Sequence, residues 1–371
     1  MHILHLANGY AGSKVHSELF KRLDKIGVSQ TVFVPCKHKS WIGLNLLDLP
    51  RTDIIYKIIY NPLHRYLYPL KRYTLLNSIL KSVDVNKIDL VQAANLFSDG
   101  GVAYKLYQKY KIPYIAAVRD TDMQFLNKTP FSFIISKDIL LNAKKIVFVS
   151  KSLEKRFVSH MKIQSIIPQI KKKFVFLNNG IDDYFLDNIN RNKCENHNLL
   201  YVGRFVAYKN LPRLLTSIDI LKRTYPDLQL TVVGGTGAKH DEFMSEINKR
   251  SKYVRFIGQI TDKRELLDIY RQHSIFAMPS IGETFGLVYI EALTQNLSIL
   301  YAKNSGVDGL FDNNLVCAVD PYDIDSIVNG LHRLLLSSIN STNCDINFED
   351  FRWDNIAKKY LCLYHEILNE L

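Results

Sequence analysis

The sequence predicts an α/β protein of two doubly wound parallel-sheet domains in series, and three observations support this prediction. First, 371 residues are more than one hydrophobic core usually organises. Second, short apolar runs alternate with amphipathic stretches, which is the rhythm of βαβ units with helices on both faces of a parallel sheet. Third, the rhythm pauses at the Asn- and Asp-rich stretch 178–198 and then restarts, so we interpret this stretch as a linker.

The individual strands are predicted from apolar runs bounded by polar residues and glycines. In the first half of the chain they cover 2–7, 31–35, 89–94, 114–118, 145–150 and 174–177. In the second half they cover 199–203, 228–234, 253–258, 274–279 and 297–302. We therefore expect a first domain over 1–180 and a second over 185–350. The helix pattern over 353–371 is expected to pack back on one of them.

Composition excludes several classes of protein. Hydrophobic residues make up 47% and charged residues 23% of the chain, as in soluble globular proteins. No run approaches the ~18 apolar residues that a membrane span needs, and no basic leader precedes an apolar core, so we expect no signal peptide. The five cysteines are scattered without a CxxC pair. This argues against a zinc site or a disulfide framework and favours a reducing compartment.

Positive charge is concentrated in the first half of the chain. The formal net charge is +12, but residues 1–185 hold 28 Lys and Arg against 13 Asp and Glu, which gives +15 there and −3 in the remainder. A basic face attracts phosphate-rich partners. A nucleic-acid-binding protein is the non-enzymatic alternative, but the basic half carries no recognisable RNA- or DNA-binding motif.

The segment 54–83 interrupts the βαβ rhythm. It interleaves tyrosines and aliphatic residues with basic ones, among them Lys57, Arg65, Lys71 and Arg72. Such interleaving on a helix suits a membrane interface, and it also suits a core-packing insertion with a solvated basic edge.

Ligands of open α/β sheets bind at the carboxyl ends of the strands, so the residues after each predicted strand are candidate site residues. Gly12 lies in a glycine-bearing turn after the first strand, where the backbone can approach a ligand closely. Gly203, Arg204 and Lys209 follow the first strand of the second domain, and two cations beside a helix N-terminus can clamp a diphosphate. Gly234 lies in a third glycine-rich turn, after the next strand.

The most informative pattern follows the predicted strand 274–279. Glu283 lies in a loop, Gly286 marks a helix start, and Glu291 lies eight positions after Glu283 inside that helix. The free N–H groups of a helix start suit phosphate. A loop carboxylate suits the hydroxyls of a sugar, and a carboxylate about one and a half turns into the helix suits those of a ribose.

Three fragments in this order resemble the retaining glycosyltransferases of family 4: VGRFVAYKN at 202–210, VVGGTG at 232–237 and PSIGETFGLVYIEAL at 279–293. Glu283 and Glu291 match the E-x7-E pattern of that family. The family has the GT-B architecture, with two Rossmann-like domains that face a cleft. The resemblance implies transfer of a sugar from a nucleotide-diphosphate sugar, a UDP-sugar being favoured, to a glycan or a lipid-linked acceptor. It implies neither a metal nor another cofactor, and it suggests cell-surface polysaccharide synthesis.

The resemblance also assigns roles to the candidates. Arg204 and Lys209 would hold the diphosphate, Glu291 the ribose, and Glu283 the transferred sugar. The other donor-binding residues are backbone donors to phosphate and sugar (Phe285, Gly286, Leu287), residues that flank the base (Gly258, Gln259, Ile260), and glycines that permit close approach (Gly12, Gly203, Gly234).

One departure from the family lies after the predicted strand 114–118. Many relatives carry a histidine there, whereas this chain has Arg119-Asp120-Thr121-Asp122. Arg119 or Asp120 is expected to orient the sugar or the acceptor in its place. Asp120 and Asp122 also form the D-x-D by which metal-dependent GT-A glycosyltransferases bind a nucleotide sugar, and this is one alternative. A GT-B nucleotide-sugar 2-epimerase is another.

Charge and resemblance together predict a place for the protein in the cell. We expect it in the cytoplasm, peripheral on the inner face of the membrane. The basic first domain is expected to dock on the anionic leaflet and to receive a polyprenyl-linked acceptor.

Overall fold

The computed structural model describes residues 1–61, 64, 67–129, 131–192, 194, 196–337 and 346–370. The chain divides into two units. The first unit comprises Met1–Val149, Leu153–Gly180 and Trp353–Leu371, and the second comprises Ser150–Ser152 and Ile181–Arg352. The C-terminal helix therefore belongs with the first unit, although 172 residues of the second unit precede it in the chain.

The first unit is built on a seven-stranded sheet with the order β3-β2-β1-β4-β5-β6-β7, in which every pairing is parallel. The strands are β1 (His2–Leu6), β2 (Ser29–Cys36), β3 (Thr52–Ile58), β4 (Leu90–Ala93), β5 (Tyr114–Ala117), β6 (Lys145–Phe148) and β7 (Phe174–Phe176). The strand order changes direction between β1 and β4, and the crevice at such a point is where open α/β sheets bind ligands.

Helices cover both faces of this sheet. They are α1 (Lys14–Lys25), α2 (Tyr68–Ser82), α3 (Ser98–Tyr110), α4 (Asp120–Lys128), α5 (Ser132–Asn142), α6 (Lys151–Val158), α7 (Met161–Gln164), α8 (Ile167–Ile170) and, at the end of the chain, α15 (Trp353–Asn369). The Ser13 side chain caps α1 by accepting the N–H of Val15. The buried face of α1 shares one hydrophobic core with Ile356 and Tyr360 of α15.

Gly180 shows why the linker motif needs a glycine. A Cβ atom at this position would lie 2.5 Å from the ring of Trp353, the first residue of α15. No real Cβ contact is that short, so the indole fits only because residue 180 has no side chain. The chain thus leaves the first unit at the same place at which it returns to it.

The segment 54–83 is not one continuous helix, and its contact with a membrane stays a prediction. Its first residues belong to the edge strand β3, which pairs with β2 along its whole length, and α2 begins only at Tyr68. β-branched and aromatic side chains favour the strand despite the interposed Lys57. Lys71 donates to Ser98 Oγ at 2.7 Å, and its ammonium lies 4.7 Å from the centre of the Tyr60 ring. Arg65 lies outside the described residues.

The second unit carries a six-stranded parallel sheet with the order β10-β9-β8-β11-β12-β13. Its strands are β8 (Asn198–Gly203), β9 (Gln229–Gly234), β10 (Val254–Gly258), β11 (Ile275–Ala277), β12 (Ser298–Ala302) and β13 (Val316–Val319). Its helices are α9 (Asp183–Asp187), α10 (Leu211–Leu221), α11 (His240–Asn248), α12 (Lys263–Arg271), α13 (Leu287–Thr294) and α14 (Ile324–Ser337). The order changes direction between β8 and β11.

Eleven of these thirteen strands overlap the apolar runs from which they were predicted. The two others are β3 and the four-residue β13, whose run NLVCAVD is too short to stand out by pattern alone. The predicted linker is partly ordered, because Asp182 caps α9 through the N–H of Tyr184. Within the described residues, Cys36, Cys194, Cys317 and Cys362 are free thiols, and Cys344 lies outside them.

No helix in the described ranges combines the length and the apolar character that crossing a membrane requires.

Candidate active site

A cleft of about 290 Å³ opens at the carboxyl ends of β8, β9 and β10 in the second unit. Six of the residues predicted to bind a donor line it together: Gly203, Arg204, Lys209, Gly234, Gln259 and Ile260. The same wall includes Leu266 of α12 and Val288 of α13, which the sequence motifs did not single out. The motif fragments are far apart in the chain but converge on one place in the fold.

The glycines at the ends of β8 and β9 permit a close approach of two backbones. Gly203 and Gly234 are register partners. Gly234 has a φ of +115°, and a Cβ atom there would lie 2.1 Å from the carbonyl oxygen of Gly203. Any side chain would therefore force the two strand ends apart. The glycines thus allow the two strand ends to meet at the cleft.

The two predicted clamp cations differ in their surroundings. Arg204 is exposed and has no hydrogen-bond or ion-pair partner among the described residues. Lys209, which is partly buried, forms an ion pair with Glu283. The turn that carries Lys209 is fixed by the side-chain amide of Asn210, which donates to the carbonyl oxygens of Pro279 and Pro321 at 3.0 and 2.7 Å. One cation is thus free to meet an anion, and the other is held in place.

Backbone hydrogen bonds fix the loop that carries Glu283. The N–H of Glu283 donates to Ser305 Oγ at 2.8 Å, and the carbonyl of Glu283 accepts the N–H of Gly306 at 2.7 Å. Gly286 then opens α13 with a φ of +86°, and a Cβ atom there would lie 2.5 Å from the Tyr289 ring. Within the part of the chain that the structure describes, no side chain caps this helix start. Its first N–H groups remain available to an anion.

Glu291 lies one helical turn beyond the cleft wall. It follows Val288 by three residues on α13, and Tyr270 follows Leu266 by four on α12, so each pair shares one face of its helix. The Tyr270 hydroxyl donates to Glu291 Oε2 at 3.2 Å. Burial raises the pKa of the Glu291 carboxyl from 4.5 to about 7, and the charge of Asp182 adds to this rise, while the Tyr270 hydrogen bond opposes it.

The remaining predicted donor residues of this unit contribute backbone rather than side chains. Gly258 ends β10 with a φ of +91°, and open space surrounds its Cα. The Phe285 side chain is buried, with its ring centre 6.3 Å from that of Phe351. Leu287 is the first residue of α13.

In the first unit, Arg119 follows β5 and faces inward. Its Nε donates to the carbonyl of Ala94 at 3.0 Å, and its side chain lines a cavity of about 10 Å³ together with His5 and His16. Burial lowers the pKa of both histidines to about 3, with the charge of Arg119 contributing at His16. Both imidazoles are therefore neutral at physiological pH. Gly12 ends a short 3₁₀ turn after β1 and has open space around its Cα.

The two aspartates of the D-x-D sequence are committed to protein partners. Asp120 forms an ion pair with Arg156 at 2.6 Å. Asp122 is buried and accepts the backbone N–H groups of Leu96, Phe97 and Arg119 at 3.2, 3.3 and 2.8 Å. Burial still raises the pKa of Asp122 to about 6. In the ranges described, no three His, Cys, Asp or Glu side chains group as potential metal ligands. This arrangement gives the GT-A alternative no support.

Three side chains at or near the cleft of the second unit were not predicted from the sequence. Val288 adjoins the predicted Leu287 and could have been included on that ground. Leu266 is half-buried and Tyr270 is buried on a strongly amphipathic helix, where the pattern predicts core residues. Nothing in the sequence distinguishes a core tyrosine from one that orients a carboxylate.

The second unit matches a known protein family. Residues 185–350 match the family of glycosyl transferases group 1. The capsular polysaccharide biosynthesis glycosyltransferase CapH of Staphylococcus aureus is 26% identical over 66% of this chain and 69% of its own length. An uncharacterized glycosyltransferase of Methanocaldococcus jannaschii is 27% identical, over 59% of each chain.

Two solved structures resemble the whole chain. Sucrose-phosphate synthase from Thermosynechococcus elongatus superposes with a TM-score of 0.76 at 18% identity, over 100% of this chain and 99% of that one. Anabaena HepE, solved in complex with UDP, superposes with a TM-score of 0.69 at 15% identity, over 100% and 99%. At such identities the likeness shows the fold, which is the predicted GT-B fold of two Rossmann-like units.

Proposed function

We propose that this chain, which is a glycosyltransferase of group 1, transfers a sugar from a nucleoside diphosphate sugar to a glycan or a lipid-linked acceptor. The observation that carries the proposal is the convergence of Arg204, Lys209 and the uncapped start of α13 on one cleft, with Glu291 one turn beyond it. A diphosphate and a ribose are the groups that this set of donors and acceptors fits.

The leaving group explains why the cleft needs fixed positive charge. Cleavage of the bond to the sugar expels a dianionic diphosphate, so stabilising groups must already be in place when the charge develops. Arg204 is free to meet that charge. Lys209 would pass from its ion pair with Glu283 to the phosphates, and Glu283 would then be released toward the sugar hydroxyls. The first N–H groups of α13 add a helix N-terminus.

Cations and a helix terminus can do this work without a metal, so we propose a metal-independent reaction. We also propose retention of the anomeric configuration, with attack on the face that the diphosphate leaves and with the departing phosphate accepting the acceptor's proton. Arg119 is the better candidate than Asp120 for orienting the sugar or the acceptor. Asp120 already pairs with Arg156.

UDP is the favoured nucleotide, and cell-surface polysaccharide synthesis is the favoured role. The name of the S. aureus relative and the UDP bound to HepE support both choices. We place the acceptor on the first unit and the enzyme on the cytoplasmic side of the membrane. The +15 charge of residues 1–185 supports this placement, since a polyprenyl diphosphate and an anionic leaflet are both negatively charged.

Incubation with a panel of nucleotide sugars in EDTA tests the proposal. We expect nucleotide release from one donor class, stimulated by lipid-linked acceptors and lowered roughly a hundredfold to a thousandfold in Arg204→Ala. Arg223→Ala is the matched control, because Arg223 is an exposed arginine of the same unit that lies outside the cleft. Release of a free 2-epimer of the sugar would instead establish the epimerase. Activity that needs added manganese would refute metal independence.

A further inference from the structure

The loop between β2 and β3, residues 37–51, turns aliphatic side chains toward solvent. Ile42, Leu44 and Leu46 keep 47%, 44% and 60% of their surface exposed, and Ile58 at the end of β3 keeps 56%. Scattered apolar residues are ordinary on a protein surface. Four of them in one loop and the adjoining strand end form a cluster that calls for a partner.

The exposure comes from an anchored backbone. The Tyr10 hydroxyl donates to the Asn45 carbonyl at 2.7 Å, and the Asn45 side-chain amide donates back to the Tyr10 carbonyl at 2.9 Å. The Tyr56 hydroxyl donates to the Leu44 carbonyl at 2.6 Å. The loop therefore holds its polar Asn45 half-buried while Ile42, Leu44 and Leu46 remain exposed.

Ile58 belongs to the same surface as the loop. It is the register partner of Cys36, the residue that leads into the loop. It also lies two positions after Tyr56, so both side chains point to one face of the sheet. Because Tyr56 contacts the loop on that face, Ile58 lies beside it.

Two basic residues accompany this apolar cluster in the loop. Lys37 and Lys39 are exposed, and neither has a carboxylate partner among the residues that the structure describes. Asp48 is the single acidic residue of the loop sequence. An apolar centre with a cationic rim matches an anionic bilayer surface, where aliphatic groups enter the boundary of the acyl chains and ammonium groups meet the headgroup phosphates.

We propose that the β2–β3 loop, together with Ile58, docks this enzyme on an anionic phospholipid bilayer. The proposal rests on the membrane placement proposed above and names the surface responsible. That surface is not the one that the sequence suggested, because Lys71 and Arg72 of α2 lie against tyrosine rings. Through Tyr10 the loop is bonded to the glycine turn after β1, so docking would hold the carboxyl end of this sheet at the bilayer.

Flotation of the full chain with vesicles tests the proposal. We expect binding to vesicles of phosphatidylcholine mixed with phosphatidylglycerol, little binding to phosphatidylcholine alone, and release by high salt. Lys37→Gln with Lys39→Gln should lower the partition coefficient about fivefold per lysine. The triple variant Ile42→Ser, Leu44→Ser, Leu46→Ser should not bind the phosphatidylglycerol-containing vesicles even at low salt.

Matched variants elsewhere on the first unit supply the controls. Phe131→Ser, Ile134→Ser and Met161→Ser remove three residues of still greater exposure, one just before α5, one in α5 and one in α7, and Lys171→Gln with Lys172→Gln removes two exposed lysines. Both control sets should bind vesicles like the wild type. Loss of binding in the control sets equal to the loss in the loop variants would overturn the proposal, as would a loop that governs self-association by light scattering without affecting vesicle binding.

Nucleotide release from the donor sugar, measured on every variant in solution, separates this proposal from the proposed function. Wild-type protein that turns over the donor but floats with neither vesicle refutes docking and leaves sugar transfer standing. Loop variants that lose flotation and keep donor turnover confirm docking and show an intact fold.

Discussion

The residues that follow the strands behave differently in the two units. In the second unit, Arg204 has no partner in the described part of the chain, and the start of α13 is uncapped. In the first unit, the corresponding polar groups are occupied by the protein itself. Arg119 donates to a backbone carbonyl, Asp120 pairs with Arg156, and Asp122 accepts three backbone N–H groups.

This difference fits the substrates proposed above for the two units. A diphosphate demands localised positive charge that is ready before it binds, and in the described part of the second unit the Arg204 side chain and the start of α13 are unpaired, while Lys209 pairs with Glu283. The first unit uses its polar groups to fix its own loops, and it presents charge and apolar surface outside them. In the proposed function, single side chains of the second unit bind the donor. The first unit would instead act through the positive charge and exposed apolar residues of its surface.

The largest effect is expected from the removal of Arg204 or Lys209, the two cations proposed to hold the diphosphate. Arg204→Ala should lower the turnover number roughly a hundredfold to a thousandfold, the usual loss when a contact to developing charge is removed. Lys209→Ala should reach the upper end of that range, because it also leaves the Glu283 carboxylate unpaired beside the phosphates. Steady-state kinetics with Arg223→Ala as control measures both. Turnover within a few fold of the wild type in both variants would contradict the clamp.

Variants of Glu291 and Tyr270 test the proposed contact with the ribose of the donor. Glu291→Ala should raise the KM for the donor about tenfold to a hundredfold with a smaller change in kcat, because a ribose contact acts equally in the ground and transition states. Tyr270→Phe should raise it about twofold to tenfold by releasing the orientation of Glu291. Glu283→Ala should depress kcat instead.

Tyr201→Phe is the control for Tyr270→Phe. Its buried hydroxyl has no hydrogen-bond partner among the residues that the structure describes, so its removal should leave the KM unchanged. An equal rise of KM in both tyrosine variants would show that the effect of Tyr270 is merely structural.

The difference in pH-dependent stability between Glu291→Gln and the wild type reports on Glu291. Burial favours its protonated form in the folded protein, so the stability that this group contributes below pH 4.5 is lost as the pH rises through its folded pKa of about 7. Glu291→Gln does not titrate. The Tm of Glu291→Gln relative to the wild type should therefore increase between pH 4.5 and pH 7 and stay level above. A difference that is constant with pH would contradict the raised pKa.

The smallest effect is expected from a change at Asp120 in the first unit, which pairs with Arg156. Asp120→Asn removes one partner of a partly exposed ion pair, so we expect a loss of about 0.2–1 kcal/mol in the free energy of unfolding. Donor turnover in EDTA should match that of the wild type. If Asp120→Asn abolished a manganese-stimulated activity, Asp120 would be part of the donor site after all.

Sequence reasoning predicted the fold and six of the residues that line the cleft of the second unit, because both depend on local rules. Strand-ending glycines such as Gly203 and Gly234 mark close backbone contacts, and Glu283 and Glu291 have a fixed spacing. β3 was missed because a lysine interrupts an edge strand that pairing with β2 stabilises. The inward position of Lys71 and the outward position of Ile42 depend on tertiary contacts with Tyr60 and Tyr10, and no pattern along the chain encodes such contacts.

The most direct test of the account is a calorimetric comparison of UDP and uridine, both titrated in EDTA. Wild-type protein should bind UDP far more tightly than uridine, because Arg204 and Lys209 contact only the phosphates. The double variant Arg204→Ala, Lys209→Ala should bind the two ligands almost equally, with its uridine affinity unchanged. A preference for UDP that survives in the double variant, or UDP binding that appears only with added metal, would contradict the account.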